Sequence, residues 1–273
     1  MLRRRGLPLP TLVLALATLW GCATVPVTGR TQLDLVPSEQ LTALAGDSYE
    51  AIVAEAELSS DPHWTALVRD VGKRVAGAAE EFLREHDLDD ELRHYDWEFA
   101  LLADADQANA FCMPGGKIGV YTGILPLVRD ENGLAVVVGH EVAHAIANHG
   151  GERMSQLLVA ELGGMALAAA VEEKPQRTRE LAMLAYGIGA QVGVLLPYSR
   201  THESEADRIG LILTARAGYD PREAVSFWQR MAQAKGPEPP EFLSTHPSSD
   251  RRLQEIREYL PEALEHYGSA GGR

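Results

Sequence analysis

The chain has 273 residues, 45% hydrophobic and 23% charged, which is enough apolar content for one domain with a real core. Its 39 acidic side chains against 25 basic ones give a formal charge of −14, and this excludes nucleic-acid binding through a basic surface. Two cysteines, Cys22 and Cys112, are too few for a disulfide framework.

The chain begins "MLRRRGLPLPTLVLALATLWGC": three arginines, an apolar stretch of about ten residues, then Gly21-Cys22. This is the order of an export signal, and the stretch is too short for an ordinary membrane span. It resembles a bacterial lipoprotein signal over residues 1–21, cleaved before Cys22, whose thiol then carries lipid. A plain secretory signal or an uncleaved anchor is the alternative. Ala23 is not aspartate, so by the same resemblance the anchor belongs in the outer membrane of a Gram-negative bacterium, facing the periplasm. Residues 22–37, with "TVPVTGRTQ", read as a polar tether. The folded domain is expected over 38–262, with 263–273 a flexible tail.

Two core helices follow. Ser38 caps the first, over 38–58, with Leu41, Leu44, Ala45, Tyr49, Ile52 and Val53 at helical spacing; the second, over 62–85, carries Trp64, Leu67, Val68, Val71 and Val75. In "YDWEFALLADADQANAFCMPGGKIGVYTGIL" the alternation of Trp97, Phe99 and Leu101 with their neighbours marks strand, and Gly115-Gly116 turns the chain between two further strands. An open strand edge can accept an extended polypeptide as one more strand.

"VVVGHEVAHAIANHG", residues 136–150, carries the chemistry. Asp130 or Asn132 can cap its helix, and Gly150-Gly151 can close it. His140 and His144 are separated by about 400° and about 6 Å, so both imidazoles leave one face. Glu141 stands about 100° further round, where it can act as general base without being a ligand. The alternative is a buried helix that merely contains histidines, and a third ligand decides between them. His149 is one residue short of the position ten after His140, which is Gly150; it reads as a residue beside the site or a solvated one at the helix end. "SRTHESEADRIGLILTARAG", residues 199–218, offers a second helix capped by Ser199 or Thr201. Its Glu203, Asp207, Gly210 and Thr214 share a face: Glu203 as third ligand, Asp207 to accept the N–H of a ligating imidazole. Ala206 and Gly210 permit close approach, while Glu205 and Arg208 are expected on solvated faces. The donor set suits one catalytic zinc per chain.

Between these motifs, "SQLLVAELGGMALAAAV" and "ELAMLAYGIGAQVGVLLPYS" are apolar for under 20 residues each. They read as a helix pair packed over the catalytic helix, with shallow membrane contact as the second reading for 155–197. Beyond them Asp220, Pro221 and Glu223 open a further helix, and "KGPEPPEF" is a loop.

"HEVAH" followed by "SRTHESEAD", with "NAFCMPGGKIGVYTGIL" before and "STHPSSDRR" after, resembles the membrane-associated zinc endopeptidases over roughly residues 60–260. That group includes HtpX, the CAAX prenyl protease and bacterial periplasmic quality-control peptidases. The resemblance implies a mainly α, α+β, gluzincin-type fold with a small β-sheet whose edge strand lies beside the H-E-x-x-H helix. It places substrate on the edge around Asn109, Ala110 and Phe111, makes Glu203 the ligand and Asp207 the orienting residue, and matches His246 and Arg252 to a closing motif. Donors beyond the metal can stabilise the oxyanion of peptide-bond attack. His246 can serve that way or, when neutral, occupy the metal's open position. The implied function is a zinc-dependent metalloendopeptidase that cleaves unfolded or misassembled envelope proteins. The alternative is a chaperone-like assembly factor with low proteolytic activity. Expected partners are extended polypeptides, the membrane through the N-terminal lipid, and the outer-membrane assembly machinery, but no nucleic acid.

Overall fold

A computed structural model describes residues 22–191, 196–234 and 240–270. Residues 1–21, read above as an export signal, residues 235–239 of the Pro-rich loop and residues 271–273 lie outside them. The fold is mainly helical with small sheets, as the sequence implies.

Leu134, Val137, Val138 and Val142 are all buried, so helix α3 (Glu131–Ile146) is apolar nearly all round and runs through the centre of the core. Asp130 caps it, its Oδ1 accepting from the amides of Asn132 and Gly133 at 2.9 and 3.0 Å. Asn132 instead reaches across the molecule, accepting the Asp220 amide at 2.9 Å. Helix α1 (Ser38–Glu55) begins after Pro37 with no side-chain cap, so Ser38 does not serve as one. Helix α2 (Pro62–Glu85) has the predicted bounds, with Asp61 as its cap. Helix α6 (Leu196–Arg216) crosses α3, helix α7 (Glu223–Gln233) packs on α3, and helix α8 (Asp250–Ala270) packs on α6.

Strands β3 (Glu98–Leu102), β4 (Ala110–Met113) and β5 (Lys117–Tyr121) form one sheet in the order β3-β5-β4. β3 runs parallel to β5, and β4 is its antiparallel partner through a turn where Gly115 and Gly116 take φ of 86° and 84°. β4 is therefore an edge strand, and it lies against α3.

Further expectations change, beginning with Ser199 and Thr201, which lie inside α6 and do not cap it. The catalytic helix does not run on to Gly150-Gly151: it ends at Ile146, and Asn148, at φ 53°, makes the left-handed corner. Gly150 and Gly151 fall inside the next helix, α4 (His149–Ala170), and the corner turns His149 back toward His144. Residues 22–37 are not a loose tether; β1 (Cys22–Thr24) and β2 (Thr31–Leu33) pair as an antiparallel hairpin anchored by fully buried Val25 and by Arg30. The tail is not free from residue 263, because α8 continues to Ala270 with Ala263 buried.

Finally, the apolar pair does not cover α3. Only the start of α4 reaches the core, through Gly151, Glu152, Ser155 and Gln156. Helix α5 (Gln176–Ala190) has no buried residue and packs mainly on α4, leaving Leu157, Leu162, Met165, Leu181, Leu184 and Ile188 exposed. Among the described residues no helix is long and apolar enough to cross a membrane.

The α3–α6 crossing is close because it is made of glycine. A Cβ on Gly210 would stand 3.0 Å from the His140 backbone N and Cα, and one on Gly139 would stand 2.7 Å from Thr214 Oγ1. Gly210→Val should therefore push the helices apart and cost about 1–3 kcal/mol. The check is the urea midpoint of the metal-free protein, and an unchanged midpoint would contradict the close crossing.

Candidate metal centre

The crossing sets the site. α3 presents His140, Glu141 and His144; α6 presents Glu203 and Asp207; His246 follows the single turn Phe242–Thr245. His140 Nε2 lies 3.1 Å from His144 Nε2 and 3.4 Å from Glu203 Oε2, and His144 Nε2 lies 3.4 Å from Glu203 Oε1. His246 Nδ1 lies 3.2 Å from His140 Nε2 and 3.0 Å from each Glu203 oxygen. A tetrahedral zinc with ligands at about 2.0–2.1 Å has edges of about 3.3–3.4 Å, so the donors are spaced as a zinc polyhedron requires. At most one proton can sit between two imidazole nitrogens 3.1 Å apart, and a cation satisfies all the converging lone pairs together. Zinc fits these residues.

The surroundings support that fit. Burial drives the His144 imidazole well below its usual range, keeping it neutral as a ligand must be. Burial also opposes charge on His140, but hydrogen bonds with Asp207 and Glu203 outweigh it and lift the group to about 9 without metal. Asp207 Oδ1 sits 3.1 Å from His140 Nδ1, within reach to accept that N–H. Glu141 is 5% exposed; burial raises its carboxyl, which accepts the Cys112 amide. Its Oε1 stands 3.2 Å from His246 Nε2 but is not aligned for a hydrogen bond and has no other partner. Asn109, Ala110 and Phe111 line the same cleft as Glu141, His144 and His246.

Arg252 is placed differently from its expected role as a donor to the oxyanion. Its Nε and Nη2 donate to the two Asp207 oxygens at 2.8 and 2.7 Å, and its Nη1 lies 3.0 Å from Glu203 Oε2. The guanidinium stacks 3.5 Å over the Trp228 ring. With its donors engaged by these carboxylates, Arg252 holds Asp207 and Glu203 in place and does not point into the cleft.

Glu205 also departs from expectation, being 5% exposed where a solvated face was predicted. It and Glu152, 1% exposed, are bridged by Arg30. Arg208 does stay near the surface, paired with Glu262. His149 is buried, and burial lowers it to about 4. Nothing in the sequence pointed to Arg30, Glu152 or His202; an arginine in an apparent tether gives no spacing to read.

The profile of peptidase family M48 matches residues 68–260. The chain is 34% identical over 244 residues to the mitochondrial metalloendopeptidase OMA1 of Schizosaccharomyces pombe, covering 88% of this chain and 66% of that protein. It is 31% identical over 256 residues to the human mitochondrial metalloendopeptidase OMA1, covering 88% and 46%. A β-barrel assembly-enhancing protease of Yersinia pestis is 30% identical over 223 residues, covering 78% and 42%. The chain thus spans between about 42% and 66% of the length of these curated relatives. It belongs to peptidase family M48, and the OMA1 relatives carry the name metalloendopeptidase. The match establishes the family and not the HtpX or CAAX prenyl protease group within it.

The acidic pair generates a pH prediction. Burial alone would raise Glu152 and Glu205, but hydrogen bonds from His202 and Arg30 to the first, and from His149, Arg30 and Thr28 to the second, hold both at about 2 against an ordinary 4.5. A carboxyl lowered on folding stabilises the fold above its unfolded value and loses that contribution as pH falls toward the folded one. Thermal midpoints of the metal-free protein should therefore fall between about pH 4.5 and pH 2. Arg30→Met should lower the neutral-pH midpoint and flatten this acid slope; the same slope in that variant would contradict the assignment.

Proposed function

We propose that this chain is an endopeptidase of the bacterial envelope that hydrolyses extended, unfolded or misassembled polypeptide, with outer-membrane proteins as the substrate class. The observation that carries the hydrolytic reading is Glu141: a buried carboxylate with one unpartnered oxygen, in a cleft between the converging donors and the β4 edge. Zinc, held by His140, His144 and Glu203, would polarise the scissile carbonyl and make water acidic enough to attack near neutral pH. Glu141 Oε1 takes the proton of the attacking water, and its raised carboxyl then delivers that proton to the leaving amine. β4 holds the substrate backbone as an added strand, so recognition depends on an extended chain more than on side-chain identity. The placement of His246 Nδ1 among the other donors favours the role in which it fills the fourth position in the resting enzyme.

The envelope setting rests on the N-terminal sequence, read as a lipoprotein signal with lipid on Cys22, and on the relative named for β-barrel assembly. The relatives with mitochondrial names share the peptidase region and carry no such implication. An assembly factor that holds strands without cutting them would use the same β4 edge but would not need Glu141.

That difference sets the test. Glu141→Gln should lose about 10²–10⁴-fold in turnover of an unfolded protein such as casein while still binding one zinc, and should retain substrates from outer-membrane extracts. Undiminished turnover in this variant would overturn the mechanism.

A further inference from the structure

An imidazole that binds metal through Nε2 keeps its proton on Nδ1 and needs an acceptor there. For His140 that acceptor is Asp207. His144 has no carboxylate at this position: its Nδ1 lies 2.8 Å from Nδ1 of His149. Two such nitrogens share one proton, and the structure fixes which of them owns it. Arg30 donates from Nε and Nη2 to Glu205 Oε1 and Oε2, both at 2.9 Å, and Thr28 Oγ1 donates to Oε1 at 2.7 Å. Glu205 is thereby an ionised acceptor. His149 Nε2, 3.1 Å from Glu205 Oε2, must therefore be the donor. A neutral His149 then offers only a lone pair at Nδ1, so His144 Nδ1 carries the shared proton and His144 Nε2 is left free to bind.

The same guanidinium clamps the other side. Arg30 Nη1 and Nη2 reach Glu152 at 2.8 and 2.7 Å, and Glu152 accepts from His202 Nε2 at 2.8 Å. The His202 ring stacks on His149, with centroids 4.3 Å apart and planes 12° from parallel. This fixes the His149 ring plane, and all four groups around Arg30 are at most 5% exposed.

We infer that Arg30, Glu205 and His149 form a relay that sets the tautomer and orientation of His144, and are positioning residues of the metal centre. The relay starts in the β1–β2 hairpin, outside the residues 68–260 that define the family. It completes the centre's symmetry: each ligating histidine has its own carboxylate, Asp207 directly for His140 and Glu205 through a second imidazole for His144. The inference rests on the zinc reading given above.

The test is zinc affinity of the full-length protein, measured by competition with a chromophoric chelator, alongside the melting temperature of the metal-free form. His149→Phe keeps a ring on His202 but removes both nitrogens, and should weaken zinc binding about 10–100-fold. His149→Asn loses the ring but can place a carbonyl oxygen near the Nδ1 position, and should stay within about threefold of wild type by restoring an acceptor for His144. A packing role alone predicts the reverse order. Arg30→Met, which takes the guanidinium from Glu205 and Glu152, should weaken zinc about tenfold. Wild-type affinity in His149→Phe or Arg30→Met, or Asn binding no better than Phe, would overturn the relay. Failure of the wild type to bind zinc would instead overturn the metal reading on which it rests.

Discussion

Two helix backbones touch where Gly139 faces Gly210, and the rest of the centre depends on that contact. A helix carrying His140 and His144 can offer only two donors from its own face. The third comes from α6, and Glu203 reaches the pair because no side chain at Gly210 holds the helices apart. Asp207 lies one turn from Glu203 on the same face, so the same close approach brings its Oδ1 to 3.1 Å from His140 Nδ1. Apolar packing of α2 and α8 against the crossing fixes its depth.

Closing water out of such a centre isolates charge, and the fold answers with two arginines, Arg252 buried and Arg30 partly buried. Arg252 sits between Asp207 and Glu203 on one side; Arg30 sits between Glu205 and Glu152 on the other. Removing one partner from a buried pair of this kind typically costs about 3–5 kcal/mol, because the remaining charge stays buried. The two clusters also explain why the N-terminal hairpin is ordered in so acidic a chain: Arg30 has two ionised partners in the core and Val25 has an apolar slot beside it. The cleft beside Glu141 is also lined by Asn109 and by Ala110 and Phe111 of β4.

Much of this was legible because it is periodic. The spacing of His140, Glu141 and His144 fixes their directions on a helix, the four-three-four spacing puts Glu203, Asp207, Gly210 and Thr214 on one face, and the small Ala206 and Gly210 pointed to the close crossing. Asp130 as cap, the Gly115-Gly116 turn and α2 were readable on the same local grounds. What escaped is what depends on distant segments meeting. Glu205 reads as solvated until Arg30 and His149 are seen beside it. Arg252 reads as a free donor until Asp207 takes its guanidinium. Gly150-Gly151 read as the helix end, but Asn148 makes the corner, because asparagine tolerates the left-handed conformation. The α4–α5 pair read as packed over the catalytic helix, and its exposed face shows that hydrophobicity without a facing partner does not locate a helix.

The central claim is that the α3–α6 crossing assembles a zinc centre from histidine nitrogens and a glutamate oxygen. Zinc K-edge absorption of the zinc-loaded protein tests it most directly. The account predicts a single nitrogen and oxygen shell at about 2.0–2.1 Å with the outer scattering of at least two imidazoles. A sulfur shell at about 2.3 Å, or a six-coordinate oxygen shell without imidazole scattering, would contradict it.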